Sequence, residues 1–239
     1  MDTAAFEPHA GSVTIGVNGD AIVGDLVIPS EPRGLVIFAH GSGSSRFSSR
    51  NRSVANSLNA AGFATLLLDL LTEREDRVDQ ETRELRFDIP LLAERVVAAV
   101  DWARQDPRAK ALHIGLFGAS TGAAAALVAA AERRESVAAV VSRGGRPDLA
   151  GALLDRVQAP TLLIVGSADP VVIELNHRAM ERLRCVTKLV LVPGATHLFE
   201  EPGTLEHVCA FATDWFEEHV HHAPHLPRGN GLALAAKET

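Results

Sequence analysis

The chain has 239 residues, a formal net charge of −7, and 46% apolar against 22% charged residues. That balance suits a globular protein with one substantial core, and it argues against a nucleic-acid or anionic-membrane surface, both of which need clustered Lys and Arg. No apolar run approaches the roughly 18 residues that span a bilayer. The opening MDTAAFEPHAG has neither the basic nor the apolar segment of a signal peptide, and Cys185 and Cys209 lack metal-like spacing. The expectation is a cytoplasmic protein with no metal and no cofactor, in which each cysteine is a small buried hydrophobe.

Two β-like segments come first, SVTIGV (12–17) and DAIVGDLVIP (20–29). Asn18-Gly19 between them favours a primed turn, so they read as an antiparallel hairpin. GLVIFAH (34–40) is a short apolar run suited to a strand buried on both faces. Strand and helix then alternate: a helix over 51–62 stopping at Gly62, a strand over 63–70, and a helix within 86–105 with Pro90 near its start. A strand over 112–118, a helix over 121–134 and a strand with its loop over 137–145 follow, then a short helix over 148–157. A strand over 161–169, a helix over 173–184, a strand and loop over 187–197 and a helix over 202–220 complete the series. Between the second strand and helix of this alternation, LLTEREDRVDQETRELRF (70–87) is long and charged and reads as a solvated excursion that could border a pocket.

Such alternation predicts one α/β domain over 1–222 with a mostly parallel sheet, helices on both faces and no large cap, followed by a mobile tail over 223–239. Ligands in such sheets bind at the C-terminal strand ends, which singles out the loops after residues 40, 69, 118, 142, 166 and 193.

At one of those ends Gly118, Ser120 and Gly122 form G-x-S-x-G between strand and helix. A nucleophile on so tight a turn needs small flanks, and the alanines at 123–126 let the helix approach the sheet. A serine hydroxyl needs a base to take its proton and a third group to orient that base. Asp169 and His197 end two later strands, giving Ser…Asp…His in chain order at three separate strand ends. The oxyanion of an acyl-transfer intermediate needs backbone donors. Thr121 N–H, at the start of the following helix, and Ser42 N–H, in the HGSGSSRF loop, are the expected pair, with His40 bonding that loop. Arg143 is a weaker candidate for holding a substrate carboxylate. The group His219, His221, His222 and His225 reads as surface residues rather than a metal site.

With these residues assembled, the chain resembles the α/β-hydrolases, and among them the dienelactone hydrolase-type serine or cysteine hydrolases. The resemblance runs over about residues 12–220 and rests on HGSG (40–43), GASTG (118–122), GSADP (166–170) and GATHLFEEPG (194–203). It implies Ser120 as nucleophile, Asp169 as acid and His197 as base. Dienelactone hydrolases proper use a cysteine nucleophile; Ser120 in its place points to a more general carboxylic-ester hydrolase acting on short or accessible esters, as a monomer or homodimer. The same machinery could serve a thioesterase or acyltransferase, and a fold retained only for binding would have lost a triad member.

Overall fold

A computed structural model describes residues 7–220. The expected mobile tail over 223–239 and three of the grouped histidines, His221, His222 and His225, lie outside the described residues.

The chain opens with β1 (His9–Val17) and β2 (Asp20–Ile28), paired antiparallel. Asn18 (φ 46°) and Gly19 (φ 81°) both adopt the left-handed conformation a primed turn requires. There follow β3 (Leu35–Ala39), α1 (Ser49–Ala60), β4 (Ala64–Leu68), α2 (Glu73–Thr82), a 3₁₀ turn (Leu85–Phe87) and α3 (Ile89–Ala103). The second half contains β5 (Ile114–Ala119), α4 (Thr121–Glu132), β6 (Val137–Arg143), a 3₁₀ segment (Pro147–Arg156), β7 (Thr161–Gly166), α5 (Pro170–Arg182), β8 (Thr187–Val192) and α6 (Thr204–His219). The strands form one eight-stranded sheet in the order β1-β2-β4-β3-β5-β6-β7-β8. Among the described residues, only the β1–β2 and β2–β4 pairings are antiparallel.

The central strands β3, β4, β5 and β7 are buried throughout, as apolar runs covered on both faces must be. Alternate residues feed two cores. Leu35, Ile37, Leu116 and Val140 pack toward α3, α4 and the 3₁₀ segment, while Val36, Phe38, Phe117 and Val141 pack toward α1 and α6. Helix α4 is buried on every side from Thr121 to Ala131, which only a run of alanines allows this close to a sheet.

Local signals set the helix ends. Ser48, Asp88 and Asp169 accept bonds from the first-turn amides of α1, α3 and α5, with Pro90 and Pro170 in the first turns of the last two. The short helix expected over 148–157 is instead 3₁₀, broken at Gly151 (φ 56°, ψ −133°). The charged 70–87 stretch is largely exposed, as expected, and it is ordered. Thr72 and Glu75 form a reciprocal capping box that starts α2, Arg83 in the left-handed conformation ends it, and the buried Asp79 carboxylate binds Arg86 (2.7 Å). Glu75 also reaches the buried Arg95 of α3 at 2.6 Å, so the segment is anchored at two points. Cys185 and Cys209 are free and half-buried, less enclosed than the sequence suggests.

Candidate active site

Ser120 occupies the turn between β5 and α4 with φ 50° and ψ −121°, a conformation a non-glycine residue rarely adopts. Its N–H donates to Arg143 O (3.2 Å), and its carbonyl accepts from Ala123 N and Arg146 N (both 3.1 Å), so both sides of the strained residue are held. The flanking glycines are required sterically. A Cβ on Gly118 would stand 2.4 Å from Ala123 Cα, and one on Gly122 would stand 2.3 Å from Ala39 O. Gly41 is similarly confined, since its Cβ would lie 3.0 Å from Ser120 Cβ. The loop after β3 therefore runs directly against the serine.

Asp169 and His197 come from loops after β7 and β8, and Asp169 Oδ2 lies 2.8 Å from His197 Nδ1. The other carboxylate oxygen accepts from Val172 N at the start of α5 (3.4 Å). One side chain thus caps a helix and orients an imidazole, which leaves Nε2 as the ring nitrogen able to take up a proton. The histidine loop is shaped by Gly194 (φ 73°) and by Phe199, a non-glycine residue at φ 56°. Thr196 Oγ1 donates to Glu201 (2.6 Å), and Arg50 of α1 pairs with Glu200 (3.3 Å). Gly144, the residue after the Arg143 carbonyl that accepts from Ser120, has its Cβ position 3.7 Å from His197 Cε1. Strand ends β5, β6, β7 and β8 are thereby brought to one place.

The loop after β3 is fixed by several contacts. His40 is buried; Leu70 N–H donates to its Nε2 (3.1 Å), so the ring proton is on Nδ1, which donates to Gly41 O (2.8 Å). Burial is the main cause holding the His40 pKa below its ordinary value, with the bond to Gly41 acting in the opposite direction. The Gly41 carbonyl and the Ser42 N–H belong to one planar peptide, so His40 sets the direction of that N–H. Ser42 Oγ and Thr121 Oγ1 are 3.0 Å apart, which joins this loop to the first residue of α4. Thr121 N–H lies at the helix start and has no intrahelical acceptor. Further along, Arg46 pairs with Asp69 through both its backbone N–H and its guanidinium, and with Asp25 (3.3 Å).

The model of the dienelactone hydrolase family matches residues 22–220, nearly the whole of the sheet and its helices. The chain belongs to this family. A dienelactone hydrolase from Anabaena variabilis has a solved structure that is 55% identical and superposes with a TM-score of 0.88, covering 90% of this chain and 99% of that one. Est1E from Butyrivibrio proteoclasticus, 20% identical with a TM-score of 0.72 over 87% of this chain and 98% of its own, shares the α/β-hydrolase fold. Two curated proteins from strains of Mycobacterium tuberculosis, each named "Putative phosphoribosyl transferase", are 59% identical over 92% of this chain. The match takes in only 49% of each, so this chain spans about half the length of those relatives.

Two features of this dienelactone hydrolase-family protein were not resolved by sequence reasoning. Arg143 is buried, with Nε and Nη1 lacking a partner, and its guanidinium lies 5.8 Å from the centre of the Phe199 ring. Desolvation, and secondarily the charge of Arg50, holds its pKa down to about 10. The second feature is a cavity of about 670 Å³ between the loop after β3 and α2. Gly41 and Ser42 line it, as do Arg46, Asp69, Asp76 and Arg86. The sequence reading of 70–87 as a segment that could border a pocket agrees with this, and the T-x-x-E pattern at 72–75 was the signal for a helix there. Among the described residues, no group of three or more His, Cys, Asp or Glu is placed to hold a metal ion, and no helix is long and apolar enough to cross a membrane.

Proposed function

We propose that this hydrolase cleaves carboxylic esters through an acyl-Ser120 intermediate, with His197 as base and Asp169 as the residue that orients it. The observation that carries the reading is the 2.8 Å contact between Asp169 Oδ2 and His197 Nδ1, two side chains brought from separate strand ends to the region of the strained Ser120 turn. Ser120 Oγ attacks the ester carbonyl carbon while its proton passes to His197 Nε2. The tetrahedral oxyanion is received by the N–H groups of Thr121 and Ser42, whose side chains already touch at 3.0 Å. His197 then gives its proton to the departing alkoxide. Water, deprotonated by the same imidazole, attacks the acyl carbon and releases the acid. Asp169 remains ionised and stabilises the imidazolium formed in each half-reaction.

Arg143 has no part in this reading. Its guanidinium lies over the Phe199 ring, 5.8 Å from the centroid. The transferase name of the mycobacterial relatives is not carried over, because those proteins are about twice as long as the segment they share with this chain.

A fluorophosphonate probe tests the reading directly. The wild-type protein should be labelled and Ser120→Ala should not, and nitrophenyl esters should be hydrolysed faster than matched acyl-CoA thioesters. Equal labelling of Ser120→Ala, or no labelling of the wild type, would remove Ser120 as nucleophile. A faster rate with the thioesters would make the enzyme a thioesterase.

A further inference from the structure

The cavity beside Ser42 shares a wall with the catalytic turn. Gly41 and Ser42 line it, and the Cβ position of Gly41 is 3.0 Å from Ser120 Cβ. Gly41 thus stands between this cavity and the nucleophile. Its volume, about 670 Å³, is in the range that accepts a drug-sized ligand.

The far wall is α2, a polar helix whose single buried residue is Asp79. Its position depends on the Asp79–Arg86 and Glu75–Arg95 ion pairs rather than on apolar packing. Arg86 also leans on the loop after β3, where a Cβ on Gly43 would meet its Nη1 at 2.9 Å. The wall and the loop are thus one braced unit.

The charges in this space are unequal. Asp20, Asp69, Glu73, Asp76 and Asp79 line it against Arg46 and Arg86. Both arginines are already committed, Arg46 to Asp69 and Asp25, and Arg86 to Asp79. His40 is a neutral acceptor at Nε2. Asp20, Glu73 and Asp76 remain without a cation inside the cavity; Glu73 has only an exposed partner on its own helix, Arg77 at 3.7 Å. Leu70, Leu71, Val23 and Leu92 supply apolar surface between these carboxylates. An apolar body bearing a positive group satisfies both parts of this lining, whereas a carboxylate meets like charge.

We propose that this cavity holds the part of the ester beyond the reacting carbonyl, and that it selects an ammonium-bearing group there over a carboxylate-bearing one. The proposal rests on the ester-hydrolase reading and supplies its substrate class.

The test uses matched esters carrying a terminal trimethylammonium, tert-butyl or carboxylate group, placed on the alcohol in one set and on the acyl chain in the other. In at least one set, kcat/KM for the ammonium ester should exceed that for the carboxylate ester by about tenfold at low ionic strength, and the ratio should shrink as salt screens the field. The double variant Glu73→Gln/Asp76→Asn, altered only at exposed side chains of α2, should cut that ratio severalfold. A control with the same charge change on α6, Glu206→Gln/Asp214→Asn, should leave it in place.

Equal or faster hydrolysis of the carboxylate esters in both sets would overturn the proposal while leaving the esterase reading intact. So would an equal change in both double variants, which would assign the preference to the charge of the whole protein. If the wild type hydrolyses none of the esters, the esterase reading fails, and calorimetric binding of the same ammonium and carboxylate esters to Ser120→Ala decides the cavity separately. Tighter binding of the ammonium member supports the selection, and equal or weaker binding overturns it.

Discussion

His40 makes two hydrogen bonds that can be removed one at a time. Its Nδ1–H holds Gly41 O at 2.8 Å and so aims the Ser42 N–H, while its Nε2 accepts from Leu70 N at 3.1 Å. An asparagine amide can stand in for the Nδ1 edge of the ring, and a glutamine amide reaches to the Nε2 edge. In His40→Asn the Leu70 N–H, on a fully buried residue, loses its acceptor. Leaving a buried donor unpaired costs about 1–3 kcal/mol, so the unfolding free energy from urea titration should fall by that much while kcat stays within about threefold. His40→Gln should show the opposite pattern. Complete loss of one oxyanion donor costs about 100- to 1,000-fold in kcat. Here the Gly41 carbonyl still accepts from Ser44 N (3.2 Å), so the peptide is loosened rather than released. A fall of about 10- to 100-fold in kcat with KM little changed is expected. Urea unfolding followed by tryptophan fluorescence, together with steady-state ester hydrolysis, measures both quantities. Equal kcat in the two variants, or a kcat loss that simply follows the stability loss, would refute the assignment of His40 to the direction of Ser42 N–H.

The same histidine makes stability depend on pH. Burial lowers its pKa from the ordinary 6.5, so just below that value the unfolded chain binds a proton that the folded protein does not. The His40 contribution is therefore complete above pH 6.5 and declines as the pH falls from there to the lowered value; unfolding in urea from pH 8 to pH 5 should show this slope, and His40→Gln should flatten it. Gly122→Ala places a methyl 2.3 Å from Ala39 O and 2.4 Å from His40 O, both backbone atoms. Overpacking of this kind costs about 1–3 kcal/mol, and because α4 must shift away from the loop after β3, ester hydrolysis should fall further than the thermal midpoint indicates. Arg143→Met removes a buried cation lacking partners at Nε and Nη1, and should raise stability by about 1–3 kcal/mol in urea titrations. The carboxylate-binding role read for Arg143 from sequence would instead appear as a selective loss of kcat/KM on carboxylate-bearing esters.

The alternation of strand and helix was legible because covered parallel strands must be continuous apolar runs, and Leu35–Ala39 and Thr161–Gly166 are such runs. The turn at Asn18-Gly19 was equally local, set by residues that tolerate a positive φ. The 148–157 segment was read as a single short helix, but Gly151, in a conformation glycine adopts far more readily than other residues, interrupts it. The 70–87 segment is largely exposed and borders a cavity, as its charges suggested, but its helix and its ion pairs were not foreseen. Its charges read as a solvated surface, but Asp79 and Glu75 find their partners in Arg86 and Arg95, and only the fold reveals those pairings.

By itself the sequence determined the strand order in time, the sterically crowded serine turn and the order Ser120, Asp169, His197, since these depend on side-chain size, backbone preference and position at strand ends. The tertiary structure decided which groups share a space. It brought Asp169 to His197 across 28 residues of chain, turned the Gly41–Ser42 peptide by way of His40, and set a charged helix opposite that peptide to enclose a cavity. The pairings of Asp169 with His197 and of Leu70 with His40 join residues distant along the chain, and their energies depend on separation and burial after folding, which no local pattern in the sequence encodes.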